Sequence, residues 1–190
     1  MPRMNRLAMA LIVSLSCCAV FTSSAFAVSN SSKAVAYRQA VRFYRTSTWH
    51  WQRTSLIKVT PSAYREKNTQ SVSYLRWDAK LWRKRSIRAK YHAQNVPRKA
   101  DWLCIQSGYR GNAKVGNGEA SWTAKTGNGY YGGLQMDLSF QRHYGGWLLL
   151  TKGTANNWTP IEQMWVAENA RKNGRGFYPW PNTAHDCGLI

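Results

Sequence analysis

Apolar positions along the 190-residue chain fall into blocks with different spacing. Residues 7 to 20 form an apolar run behind Arg3 and Arg6, and the small-residue sequence Ala25, Phe26, Ala27 follows it. Val35, Tyr37, Ala40, Val41 and Tyr44 then recur at approximately helical intervals and predict a short helix. A second helix is predicted over residues 71–93, where Leu75, Ala79, Trp82, Ser86 and Ala89 recur at steps of three and four. Asn95, Val96 and Pro97 break this pattern, because proline disfavours helix in the residue before it and cannot continue one itself.

A new helical segment is predicted over residues 100–105, carrying Trp102 and Cys104, and the Gly- and Asn-rich stretch 108–118 reads as a loop. Thr159, Pro160 and Glu162 match a helix start: a Thr N-cap, Pro at the first helical position and Glu placed to close a capping box. That helix has Ile161, Met164 and Trp165 on its buried stripe and stops near Gly174. The pattern predicts a mainly α fold with long loops and no convincing strands. The chain divides into residues 1–27, a basic Trp-rich region at 28–96, expected to be helical, and a domain at 97–190.

Two arginines, an apolar run and an A-x-A sequence read as a signal peptide cut after Ala27. The run is shorter than the roughly 18 to 20 apolar residues needed to span a bilayer core. Cys17 and Cys18 lack the small-residue context of a lipid-attachment site. Removal of the leader takes both away and leaves Cys104 and Cys187, and an even pair outside the cell implies one disulfide. Such a staple contributes about 4 to 5 kcal/mol in the chain-entropy account.

Charge changes the picture further. Residues 28–100 carry 17 Lys and Arg against two acids, whereas residues 101–190 carry 8 against 6. The basic half seeks a polyanion. For an exported chain the available anions are wall polymers and membrane headgroups, not nucleic acid. The predicted helix at 71–93, with Arg83, Lys84 and Arg85 on its other faces, reads either as a Trp-bearing helix lying on an anionic surface or as one arm of a helical hairpin packed on the following domain.

The richest candidate for binding chemistry runs from Thr126 to Gln135, followed by Phe140 and Tyr144. Its glycines, Gly127, Gly129, Gly132 and Gly133, let backbone amides approach a ligand, and Tyr130 and Tyr131 offer apolar faces and hydroxyls suited to sugar rings. An ordinary Gly-rich loop with packed tyrosines has the same composition.

This run resembles the glycan-binding strip of the resuscitation-promoting factor family, transglycosylase-like relatives of lysozyme. Trp102 and Cys104 resemble that family's opening helix, Trp122 stands four residues before Thr126 as it does there, and Gln163, Val166, Ala167 and Glu168 resemble the central helix. Trp180, Pro181, Cys187, Gly188 and Leu189 resemble its ending. The resemblance covers nearly all of residues 101–190 and none of 28–100. It implies a small lysozyme-like helical domain, the same Cys104–Cys187 pairing, peptidoglycan as partner, a wall-associated secreted location, and cleavage of the β-1,4 glycan bond between N-acetylmuramic acid and N-acetylglucosamine. Trp122, Asn128, Tyr130, Tyr131, Gly133 and Gln135 are the implied substrate-binding residues. No cofactor is implied, and His143 and His185 show no metal-ligand spacing.

The cleavage needs a carboxylic acid to protonate the leaving oxygen. Residues 101–190 offer Asp101, Glu119, Asp137, Glu162, Glu168 and Asp186. Glu162 belongs to the capping box, Asp137 is placed to cap the helix containing Phe140, and Asp101 and Asp186 lie beside the cysteines. Glu119, Ala120, Ser121, Trp122 resembles the Glu-Gly-Ser-Trp sequence of some family members and makes Glu119 the candidate acid, with an aromatic neighbour able to raise its pKa. Other members carry the acid directly after the cysteine, where this chain has Ile105 and Gln106, and ungapped counting from Trp122 lands on Asn117. About ten residues, 107–116, are extra. Glu168 is the rival, either a buried acid or a carboxylate orienting Arg171 or Lys172. A peptidoglycan-binding protein without catalysis and a cationic membrane-active protein remain as alternatives.

Overall fold

The computed structural model describes residues 29–190. The signal-peptide reading of 1–27 lies outside the described residues.

The basic region contains α1 (Asn30–Thr54), a short α2 (Tyr64–Asn68) and α3 (Val72–Gln94). The first helix is not short: it runs 25 residues, started by the Ser29 side chain accepting from the Ser32 amide. Its mixed polar spacing hides that length, because few of its positions are buried. The apolar stripe expected on α3 is buried as expected, at Leu75, Ala79, Trp82, Ser86 and Ala89. Trp82 is fully enclosed against Val41 and Ala79, with Tyr37, Ala40 and Tyr44 around them.

The two long helices do not form a hairpin. Ser86 donates to Ser47 at 2.8 Å, Trp82 packs edge-on to Trp49 and Tyr37 shares a groove with Trp77, so sequence numbers rise together along both helices. They run parallel because the connection travels back along α1. Trp49 Nε1 donates to the Thr60 carbonyl at 2.7 Å, Arg45 pairs with Glu66 at 3.6 Å, and Arg38 donates to the Thr69 carbonyl at 3.0 Å.

Beyond the Asn95 C-cap come α4 (Lys99–Ser107), β1 (Tyr109–Arg110), β2 (Ala113–Lys114), β3 (Tyr130–Tyr131) and β4 (Met136–Asp137). Then follow α5 (Leu138–Lys152), a 3-10 turn (Ala155–Asn157), α6 (Pro160–Ala170), a π-helical turn (Arg171–Arg175) and α7 (Pro181–Asp186). The strands pair as two antiparallel hairpins, β1 with β2 and β3 with β4. Sequence periodicity misses them because two-residue strands are too short to show alternation. The Thr159–Glu162 capping box forms, and α6 is buried nearly all round, as befits a central helix. It passes into the π-helical turn, so the helical stretch ends close to Gly174.

Cys104 and Cys187 form a disulfide with Cα atoms 6.1 Å apart, joining α4 to the end of α7. The fold is therefore mainly α and closed by one disulfide, consistent with a small lysozyme-like helical domain preceded by a basic helical region. Its core gathers Trp102, Ile105, Leu134, Met164, Val166 and Trp180. The basic pair is rooted in that core. Trp165 Nε1 donates to the Ala93 carbonyl at 2.8 Å, His92 stacks on Trp165 at 5.1 Å, and Val96 is a core member.

Candidate functional site

Helix α4 ends at Gly108, whose left-handed backbone turns the chain out. The next ten residues make an excursion through β1 and β2 that closes on itself: the Val115 and Gly116 amides return to the Gly108 carbonyl at 2.8 and 3.1 Å. Gly118 lies so close to α4 that a Cβ there would sit 2.5 Å from the Gln106 carbonyl oxygen, and its φ is +70°. The Glu119 amide then donates to the carbonyls of Ile105 (3.0 Å) and Gln106 (3.1 Å). The extra segment thus leaves and re-enters at one place, and the Glu119 backbone stands against Ile105 and Gln106.

The Glu119 side chain, half-buried, accepts a 2.6 Å hydrogen bond from Thr183 Oγ1 on α7. Gln106 Nε2 holds the next carbonyl, that of Ala120, at 2.6 Å. Both elements that fix Glu119, α4 and α7, are those joined by the disulfide.

Trp122 packs closely against Gly133, where a Cβ would come within 2.6 Å of the indole. Buried Gln163 of α6 braces the two: its Nε2 donates to the Trp122 carbonyl at 2.8 Å and its Oε1 accepts from the Gly133 amide at 2.8 Å. Across the hairpin, Tyr130 faces Asp137 and Tyr131 faces Met136. Asn128 Oδ1 accepts from the Tyr130 amide at 3.0 Å, and Gln135 Nε2 donates to the Gly132 carbonyl at 2.8 Å. Trp180 Nε1 pins the Leu134 carbonyl at 2.7 Å. Tyr130 and Asn128 face solvent, Trp122, Tyr131 and Gln135 are half-buried, and Gly133 is buried.

The strip residues therefore form one braced unit with Trp122. Glu119 reaches that unit through the chain Ala120–Trp122 and not through a hydrogen bond of its own; its carboxylate is bonded to Thr183 and not to Gln135.

Four of the other acids are held by partners. Asp137 caps α5, accepting from the Phe140 amide at 2.7 Å. Glu162 closes its capping box and binds Lys152 Nζ at 2.6 Å. Asp101 pairs with Arg98 at 2.7 Å and Arg110 at 3.4 Å. Glu168 is buried, which works to raise its pKa, but the two-pronged Arg171 contact at 2.8 and 2.9 Å, with Lys172 nearby, holds it below the usual carboxylate range. Burial and ion pairing coexist, so Glu168 is a fixed anion. Asp186 is exposed at the end of α7. Among the described residues no cluster of three His, Cys, Asp or Glu side chains is placed to hold a metal. No helix among them is long and apolar enough to cross a membrane.

Sequence reasoning missed Thr183, which has no pattern to mark it, and the bracing role of Gln163. The signal for Gln163 was present: an amide inside the all-buried run of α6 must bond to something.

No family model and no solved structure matches the chain. Resuscitation-promoting factor RpfE of Mycobacterium tuberculosis is 41% identical over 61 residues, which is 32% of this chain and 32% of the relative. The chain thus covers about a third of that relative's length, and the similarity to a resuscitation-promoting factor is partial.

Proposed function

We propose that the protein is a secreted, wall-associated enzyme that cleaves the β-1,4 bond between N-acetylmuramic acid and N-acetylglucosamine in peptidoglycan, with Glu119 as general acid. One observation carries this reading: the inserted segment closes on itself and returns Glu119 to the end of α4, beside Ile105 and Gln106 and next to the braced Trp122 strip. The partial similarity to a resuscitation-promoting factor supports the substrate class.

In this mechanism Glu119 gives its proton to the glycosidic oxygen as the C1–O bond breaks. The resulting carboxylate then takes a proton either from water, giving a reducing end, or from the muramic 6-hydroxyl as it closes on C1, giving a 1,6-anhydro end. The substrate's own acetamido group stabilises the positive charge at C1. Trp122, Asn128, Tyr130, Tyr131, Gly133 and Gln135 bind the sugars by ring faces and short polar contacts.

The parallel α1–α3 pair holds the enzyme at anionic wall polymers or membrane surface. The outer side of α3 exposes Trp77, Ile87 and Tyr91 between Lys80, Lys84 and Arg88, the mixture of apolar and cationic side chains that such a surface takes up.

Mass analysis of fragments released from purified peptidoglycan tests the reading. Soluble muropeptides from the wild type and none from Glu119→Gln support it, and the one-water difference between the two ends selects the mechanism. Binding without release by the wild type replaces it with the non-catalytic alternative.

A further inference from the structure

A second feature adjoins the strip. Strand β4 passes directly into α5, and at that junction a cleft of about 620 Å³ opens between the first turns of α5 and the π-helical turn. Its floor is aromatic: Phe140 and Tyr144 lie 4.8 Å apart, with Phe140 edge-on to Trp180 at 5.6 Å, the same Trp180 that pins Leu134 of the strip. Its walls carry Arg142, His143 and Arg175.

Arg110, Lys152, Arg171 and Lys172 each face an acid within 4.0 Å, whereas Arg142 and Arg175 make no ion pair among the described residues. Two of the domain's free guanidinium groups therefore converge on one cleft, and both are exposed. Arg175 is put there by a π-helical turn closed by left-handed Gly174 (φ +88°) and Gly176 (φ +56°), a distortion frequent at functional positions. Asp137 also lines the cleft. One of its oxygens is occupied by the α5 cap, which leaves the other to accept from a ligand N–H.

The lining thus asks for carboxylates, N–H donors and small apolar side chains together. A phosphodiester polymer supplies only the anion and meets Asp137 with repulsion; a peptide bearing free carboxylates supplies all three. We infer that this cleft binds the carboxylate-bearing peptide stem attached to the muramic lactyl group, so that the enzyme selects peptide-substituted glycan over bare glycan. This deepens the proposed function and rests on it for the identity of the peptide. Arg142 and Arg175 take the carboxylates through paired N–H donors, Asp137 takes an amide proton, and the Phe140–Tyr144 floor carries the alanine methyls.

The test is titration calorimetry on the full chain with Glu119→Gln to prevent turnover. The probes are a muropeptide disaccharide with its tetrapeptide, the same disaccharide without peptide, the free tetrapeptide, and inorganic polyphosphate. The stem is expected to tighten binding by about tenfold or more, as a pair of charge-assisted bonds does. Arg142→Ala with Arg175→Ala should remove that gain, leave the peptide-free disaccharide unchanged and leave the melting curve unchanged, since both side chains are exposed. A stem that adds nothing, a double variant that weakens both disaccharides alike, or polyphosphate that competes as well as tetrapeptide overturns the inference. Free tetrapeptide bound by both arginines while neither disaccharide binds keeps the cleft and discards the glycan-cutting reading. Cutting of bare and stem-bearing strands at equal rates, unaffected by the double variant, does the reverse.

Discussion

Thr183 and Glu119 are 64 residues apart in sequence, yet the threonine hydroxyl donates to the glutamate carboxylate at 2.6 Å. That bond aims the carboxylate, because the Glu119 backbone is already fixed by Ile105 and Gln106. Thr183→Val, nearly isosteric, is expected to lower kcat by about ten- to a hundredfold with KM little changed, the range of one misplaced contact. Glu119→Gln should lose activity altogether while its circular dichroism and melting remain native. Steady-state kinetics on soluble glycan fragments separates the two. Equal activity of Glu119→Gln and wild type would sink the assignment of the acid.

Reduction of the disulfide has two readouts for the same reason. Cys104→Ser with Cys187→Ser is expected to cost about 2 to 5 kcal/mol in denaturant unfolding. Activity should fall before global unfolding begins, since α7 carries Thr183 and is released first. Matching the denaturant midpoints of activity and of Trp fluorescence checks this: activity must be lost at the lower concentration.

The basic helices hold an acid in an unusual setting. Asp78 is fully buried, and neither of its oxygens has a hydrogen-bond partner among the described residues. Burial, with Glu66 of α2 adding to it, pushes Asp78 up to about 6, against the opposing pull of Arg85 and Arg45. A carboxyl that keeps its proton more tightly when folded stabilises the fold below its unfolded value of 3.8, and that contribution is lost as pH rises through about 6. Asp78→Asn is therefore expected to raise the melting temperature at pH 7 and to flatten its dependence between pH 4 and 6. Thermal melts across that range decide the matter, and an unchanged pH slope would contradict it.

Charge reversal on the outer side of α3 separates the proposed attachment from the proposed catalysis. Lys80→Glu with Lys84→Glu should weaken binding to anionic vesicles or wall polymers and reduce its salt dependence, because each removed cation releases fewer counterions. Turnover of small soluble glycans should be unchanged. Sedimentation at 50 and 300 mM salt is the measurement.

The sequence makes legible what depends on local spacing. The α3 stripe from Leu75 to Ala89, the Asp137 and Thr159–Glu162 caps, and the Cys104–Cys187 pair all stand where the residue pattern predicts. What it hides depends on chain reversal at a distance. Nothing in residues 55–71 announces that they run back along α1 and make the two helices a parallel pair, not the hairpin that was one of two readings of the basic region. Nor does the composition of residues 107–118 say that they close into a loop whose ends touch; that is set by Gly108 and Gly118 packing against each other's backbone. The tyrosine strip is visible as a motif, but its rigidity comes from Gln163 and Trp180, both distant in sequence.

The parallel arrangement of α1 and α3 has a mechanical consequence. Helix α3 roots its C-terminal end in the domain core at Trp165, and α1 ends beside it, where Leu56 packs against the same core and Arg53 lies over the exposed Trp147 ring. Their 25 and 23 residues extend to about 35 Å at 1.5 Å per residue, so their N-terminal ends form the far tip of a stiff strut. A flexible tether would let the domain sweep a volume; a strut sets one stand-off distance. Under the proposed function, once its far half is seated on a surface the strip meets only glycan strands that pass at that height.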